Sequence, residues 1–152
     1  MYKILCICTG NTCRSPMAEA MLKSMLPKKL KKIVEVSSAG TYASERQYAA
    51  LEAVDAMKEH GINIEDHRSR LLVPEMYTPA NLILVTDQLN EEIMKRAVPE
   101  KDIRLLTSFR FNKEPHEIPD PYNKPTDAYR NCAAMIRECV EGVVEFLEQN
   151  LN

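Results

Sequence analysis

No stretch of this chain approaches the roughly 20 consecutive apolar residues that a helix needs to cross a bilayer, so the sequence offers no membrane span. Neither sign of charge dominates. The 20 Lys and Arg stand against 22 Asp and Glu, a formal net charge of −2, which gives no footing for a nucleic-acid or membrane-surface partner. The one basic run, Lys28, Lys29, Lys31 and Lys32, reads as a solvated helix end. Nothing resembling a secretory leader precedes the first strand-like run, so we expect no signal peptide. Repeats, low-complexity tracts and linkers are also missing. The 152 residues are therefore expected to form one domain, 1–152, with a sizeable core. An even, spaced set of cysteines is absent as well. Cys6, Cys8, Cys13, Cys132 and Cys139 are odd in number, with the first three packed into one strand and loop, unlike a secreted disulfide framework. No Cys-x-x-Cys pair is present, and the histidines are scattered, which argues against a metal site. We expect a cytoplasmic protein without metal or cofactor, a monomer or weak homodimer.

What is present is a regular alternation. Residues 3–8 form a continuous apolar run of strand length, as in a buried parallel strand. A helix follows from about Arg14 to Met25, with Pro16 tolerated in its first turn. Ile33 to Gly40 reads as a second strand. Ala49, Ala50, Ala53, Val54 and Met57 predict a helix over 45–60 that Gly61 ends. A short helical stretch near Pro74–Tyr77 comes next, then a strand at Leu82–Val85, a helix at about Leu89–Ala97 and a strand at Ile103–Leu106. Prolines at 115, 119, 121 and 125 keep residues 107–125 irregular. The apolar stripe through Tyr129, Cys132, Ala133, Ile136, Val140, Val143, Val144 and Leu147 predicts a last helix over Thr126–Gln149, with Cys132 and Cys139 as core thiols. Strands alternating with helices imply an α/β fold, a parallel sheet with helices on both faces. Ligands then bind at the carboxyl edge of the strands.

At that edge lies Cys8-Thr9-Gly10-Asn11-Thr12-Cys13-Arg14-Ser15-Pro16, between the first strand and the first helix. Successive N–H groups from Thr9 to Ser15 can converge on one anion, and the helix N-terminus adds its positive dipole end. Arg14 supplies a fork of donors matched to two phosphate oxygens. The same field stabilises a thiolate at Cys8, making it a nucleophile. Gly10 allows close backbone approach or a positive φ. Asn11 suits a left-handed conformation and can pin the loop with its amide. Ser15 can donate a hydrogen bond to the Cys8 thiolate.

This stretch, Cys-(five residues)-Arg-Ser-Pro near the N-terminus with Gly-Asn inside it, resembles the low-molecular-weight protein tyrosine phosphatase family, and further matches span nearly the whole chain. The resemblance implies four parallel strands in the order 2-1-3-4, with the phosphate-binding loop after strand 1. It implies phosphorylated proteins as substrates and a cysteinyl-phosphate intermediate. It places Cys8, Arg14 and Asp120 in catalysis, with Asp120 of Asp120-Pro121-Tyr122 as general acid and then general base. It assigns Ser38 and His67 to holding the loop, together with Asn11 and Ser15. Tyr42 and Tyr122, with Thr12, become the substrate pocket. Asp127, expected at the cap of the last helix, is a weaker rival for the acid.

Thr12 is a departure. Members acting on phosphotyrosine usually carry a larger branched apolar residue there, and threonine resembles the family's bacterial protein arginine phosphatases. A smaller, hydroxylated residue suits a hydrogen-bonding guanidinium better than a phenol ring, so the expected substrate leans to phosphoarginine, with phosphotyrosine as the alternative. Asn123-Lys124 replaces the usual glycine pair, and a Gly-x-Pro after Thr41 is lacking. Two other classes compete. A thiol-coupled arsenate reductase needs relay cysteines in mid-chain, where this sequence has none between residues 14 and 131. A plain phosphate-binding module needs neither the thiol nor the acid.

Overall fold

The computed structural model describes residues 1–151. Four strands, β1 (Tyr2–Cys8), β2 (Val34–Gly40), β3 (Leu82–Val85) and β4 (Ile103–Leu105), form one sheet in the order β2-β1-β3-β4. All pairings are parallel, with Cys8 in register with Gly40 and Ile7 with Val85. The helices are α1 (Arg14–Met25), α2 (Lys28–Lys31), α3 (Leu51–Lys58), α4 (Pro74–Tyr77), α5 (Gln88–Ala97) and α6 (Thr126–Asn150).

The unbroken apolar runs of β1 and β3 have a direct cause: both faces of the sheet are covered. Ile4, Cys6, Leu82 and Leu84 point into a core beneath α1, α3 and α6. Leu5, Ile7, Ile83 and Val85 point into a smaller one beneath α4 and α5. The stripe of α6, from Tyr129 to Leu147, is buried, and it takes Cys132 and Cys139 with it.

Three expectations shift. The helix predicted over 45–60 begins at Leu51, because residues 45–48 bond instead to the segment around Ser69. Arg46 N–H reaches Ser69 O at 2.8 Å, Ser69 N–H reaches Gln47 O at 2.8 Å, and Arg46 adopts φ 67°. Ala50 is no helical residue either; its N–H donates to Thr12 O at 3.0 Å, tying this segment to the first loop. The lysine run is a separate short helix, α2, that buries Leu30 and leaves its lysines exposed. Leu106 leaves the fourth strand and opens a 3₁₀ turn, Leu106–Phe109.

Candidate active site

Strand β1 ends at Cys8 and α1 begins at Arg14, so residues 8–15 form a loop at the carboxyl edge of a central strand. The left-handed residue of the loop is Asn11, with φ 56°. Gly10 does not have positive φ, and a Cβ there would meet only Thr12 Oγ1 at 3.8 Å. The glycine that close approach demands is Gly40, where a Cβ would stand 2.5 Å from Thr9 O and 3.0 Å from Asn11 N.

Asn11 is fully buried and organises the loop. Its Nδ2 donates to Ser15 Oγ at 2.8 Å and to Ser38 Oγ at 3.0 Å. Its Oδ1 accepts Arg70 N–H at 2.9 Å, and its carbonyl accepts His67 Nε2 at 2.7 Å. The Ser38 hydroxyl donates in turn to Glu19 Oε1 at 2.6 Å. Since Ser15 Oγ accepts from Asn11, its hydroxyl proton is free for Cys8 Sγ, 2.8 Å away; Asn11 N–H also points at that sulfur, at 3.2 Å. The sulfur therefore faces two donors, the environment a thiolate accepts.

Arg14, only 3% exposed, is held on one side. Nη1 donates to Asp87 Oδ2 at 2.8 Å and to Ile118 O at 3.0 Å, while Nη2 lies 3.6 Å from Asp120 Oδ2. Burial opposes the guanidinium's charge, but Cys8, Asp120 and Asp87 together outweigh it and raise its pKa. Asp120 is half exposed, and its Oδ1 accepts Tyr122 N–H at 3.1 Å, a local turn that stiffens the Asp-Pro-Tyr segment.

A cavity of about 220 Å³ is lined by residues 8–14, Asp120 and Tyr122. Thr12 and Tyr122 thus border it. Tyr42 does not: it is 72% exposed and lies beside the loop, where its N–H donates to Thr9 O at 3.0 Å. Asp127 points away, pairing with Arg130 at 3.8 Å, and the cap of α6 is Pro125. A larger cavity, about 820 Å³, opens along the edge strand β2 and contains no loop residue. Volume alone therefore does not locate the chemistry.

The thiols are unequal. Burial pushes Cys13 up to about 11, helped by Cys8 and Asp120 and opposed by the Thr12 hydroxyl and Arg14. Burial likewise lifts Cys132 and Cys139 to about 12 and raises Cys6 further. These four are neutral thiols at pH 7, buried without a role for charge. The pKa of His67 is lowered by burial, against its bond to the Asn11 carbonyl, which can only accept and so takes the Nε2–H. Among the described residues, no group of three or more His, Cys, Asp or Glu side chains is placed to hold a metal ion.

Five participants escaped the sequence: Glu19, Arg70, Asp87, Asn90 and the carbonyl of Ile118. Asp87 follows β3 at the same sheet edge as Cys8, the one signal that could have raised it.

Comparison with known proteins points to one family. The family model described as "Low molecular weight phosphotyrosine protein phosphatase" matches residues 3–152. A probable low molecular weight protein-tyrosine-phosphatase of Ralstonia nicotianae, EpsP, is 37% identical over 142 residues, covering 93% of this chain and 92% of the relative. A protein-arginine-phosphatase of Geobacillus stearothermophilus is 34% identical over 149 residues, covering 97% of each chain. The crystal structure of a low molecular weight protein tyrosine phosphatase from T. tengcongensis superposes with a TM-score of 0.86 at 34% identity, covering 97% of this chain and 100% of that one.

Proposed function

The chain belongs to the low molecular weight phosphotyrosine protein phosphatase family, cysteine-dependent phosphatases, and from that premise we propose that it hydrolyses phosphorylated protein side chains through a cysteinyl-phosphate on Cys8, with phosphoarginine preferred. The observation that carries the mechanism is the position of the Cys8 sulfur, between two donors, at the base of a cavity that Arg14 and Asp120 also line. The thiolate attacks phosphorus while the loop N–H groups and Arg14 take the phosphoryl oxygens. With Nη1 given to Asp87 and Ile118, the Arg14 fork presents its Nε and Nη2 to two of those oxygens. Asp120 protonates the departing oxygen or nitrogen as the S–P bond forms and the bond to the side chain breaks. It then takes a proton from water, which attacks phosphorus, and Cys8 leaves as a thiolate that accepts the Ser15 hydroxyl.

The preference rests on the cavity wall. Among the described residues Tyr122 is the single aromatic lining it, and Thr12 stands where a phenol ring would need an apolar support. Thr12 brings a hydroxyl instead, and Asp120 already lies beside one guanidinium, that of Arg14. A second guanidinium at the mouth finds polar partners on both sides. Relatives named for tyrosine and for arginine both exist, so the discriminating experiment is a matched pair of peptides, one phosphotyrosine and one phosphoarginine. Wild type is expected to have the higher kcat/KM on phosphoarginine. Thr12→Ile is expected to shift the ratio toward phosphotyrosine at least tenfold, about 1.4 kcal/mol of relative transition-state binding. A wild type that already favours phosphotyrosine makes the protein a tyrosine phosphatase with an unusual loop residue, and an unmoved ratio removes Thr12 as the source of the preference.

An arsenate reductase finds no support in the remaining cysteines, since Cys132 and Cys139 are buried in α6 with raised pKa values. Five free thiols suit a reducing compartment, and we place the protein in the cytoplasm.

A further inference from the structure

Asn90 lies in the first turn of α5, is fully buried, and uses every polar atom of its side chain. Oδ1 accepts the Thr41 hydroxyl at 2.6 Å. Nδ2 donates to Thr9 Oγ1 at 3.2 Å and to Asp87 Oδ1 at 2.8 Å. Capping α5 does not require this amide, because Asp87 Oδ1 already accepts the backbone N–H of Asn90 at 2.9 Å. What the side chain adds is a link between three segments: the residue after the nucleophile, the residue after β2, and the carboxylate that carries Arg14.

We propose that Asn90 is a positioning residue for oxyanion binding, fixing both the first half of the phosphate loop and the aim of Arg14. The inference rests on the phosphatase reading above. The two oxygens of Asp87 are divided: Oδ1 takes both N–H donors of Asn90, and Oδ2 takes Arg14 Nη1 at 2.8 Å. A carboxylate locked on one oxygen cannot turn about its own axis, so the other oxygen stays on the guanidinium. Arg14 must be held in this way, because its Nε and Nη2 have to meet an incoming anion in one plane. On the loop side, backbone bonds from Thr41 N–H to Cys8 O at 3.1 Å and from Tyr42 N–H to Thr9 O at 3.0 Å fix the main chain. Asn90 fixes the Thr9 and Thr41 side chains over that main chain. Asn11 serves the second half of the loop, through Ser15, Ser38, His67 and Arg70. Asn90 serves the first half and the arginine. Removing a buried amide whose donors and acceptor are all satisfied leaves its partners short, here the Thr9 and Thr41 hydroxyls, and takes one of two donors from Asp87 Oδ1.

The test measures inhibition constants for inorganic phosphate and vanadate, with kcat and KM, on the purified full chain. Wild type, Asn90→Ala, Thr41→Val and Thr41→Ser are compared, each with its melting temperature. Asn90→Ala is expected to weaken phosphate and vanadate about tenfold and to lower kcat/KM by a similar factor. Thr41→Val, which removes only the hydroxyl held by Asn90, is expected to move the same constants the same way by about threefold. Thr41→Ser keeps that hydroxyl and stays within twofold of wild type. Anion constants within twofold of wild type in Asn90→Ala and Thr41→Val, with only the melting temperature lowered, reduce Asn90 to a structural residue and overturn the proposal. Should Asn90→Ala not fold, Thr41→Val against Thr41→Ser decides alone. A wild type that neither binds phosphate nor turns over a phosphorylated peptide contradicts the phosphatase reading itself, before any variant is compared.

Discussion

The loop after β1 and the segment carrying Asp120 meet at one cavity and are built in opposite ways. In the loop, Asn11 and Ser15 are fully buried, and Arg14 is nearly so. Bonds reach it from β2, from the segment around residues 67–70 and from α5. In the segment 110–125, Phe111 and Tyr122 stand in solvent and Asp120 is half exposed. Its firm anchor is Ile118, buried, with its N–H on Thr86 O at 2.8 Å and its carbonyl on Arg14 at 3.0 Å. The phosphoryl group is the same in every substrate, so its site can be preassembled, and preassembly is what electrostatic stabilisation of transfer requires. The side chain that carries the phosphoryl group varies, and so does the proton acceptor on it. In the proposed mechanism the acid Asp120 and Tyr122 lie on the looser arm, two and four residues from the Ile118 anchor, while Thr12 belongs to the rigid half.

Breaking the rigid half has the largest effect. Cys8→Ser is expected to abolish turnover while phosphate or vanadate binding persists, because the loop N–H groups and Arg14 remain; turnover above a few per cent of wild type excludes Cys8 as the nucleophile. Breaking the looser half costs less. Asp120→Asn should slow hydrolysis by about 10²–10⁴-fold and flatten the limb of the pH profile that reports the acid. An unchanged rate on a substrate with a poor leaving group moves that role elsewhere.

The smallest effect concerns how the rigid half is held. Burial depresses His67 in the folded protein, while the unfolded chain titrates near about 6.5. Between those two values the unfolded state binds more protons, so stability rises with pH across that window. The contribution is complete above about 6.5 and is lost as pH falls through the lowered folded value. Melting curves should therefore decline on acidification, by about 2–4 °C for each kcal/mol lost. His67→Gln keeps a donor for the Asn11 carbonyl and should flatten that part of the decline. Identical pH dependence in the two proteins removes the claim.

The difference between the two halves also sets what the sequence discloses. The loop is legible because its chemistry is contiguous: Cys8, Asn11, Arg14 and Ser15 fall within one turn between a strand and a helix. Asp120 becomes legible only through its resemblance to a family motif, since an Asp-Pro pair alone reads as a turn. Asp87 and Asn90 are hidden by an ordinary explanation, a helix cap, which is real but incomplete. The false helical turn over 45–50 has a similar origin. Its alanines have helical spacing, and bonds to Ser69 and Thr12, distant in sequence, override it. Tyr42 lies outside the cavity lining, because proximity in sequence to the loop does not fix where a side chain points.

In the proposed reaction Cys8 carries the phosphoryl group between two chemical steps. Slowing the second step with Asp120→Asn, quenching rapidly in acid during turnover of a phosphorylated peptide, and mapping the digest by mass spectrometry tests it directly. A phosphate is expected on the peptide containing Cys8, absent in Cys8→Ser/Asp120→Asn. A quenched enzyme that turns over substrate and carries no phosphate on Cys8 contradicts it.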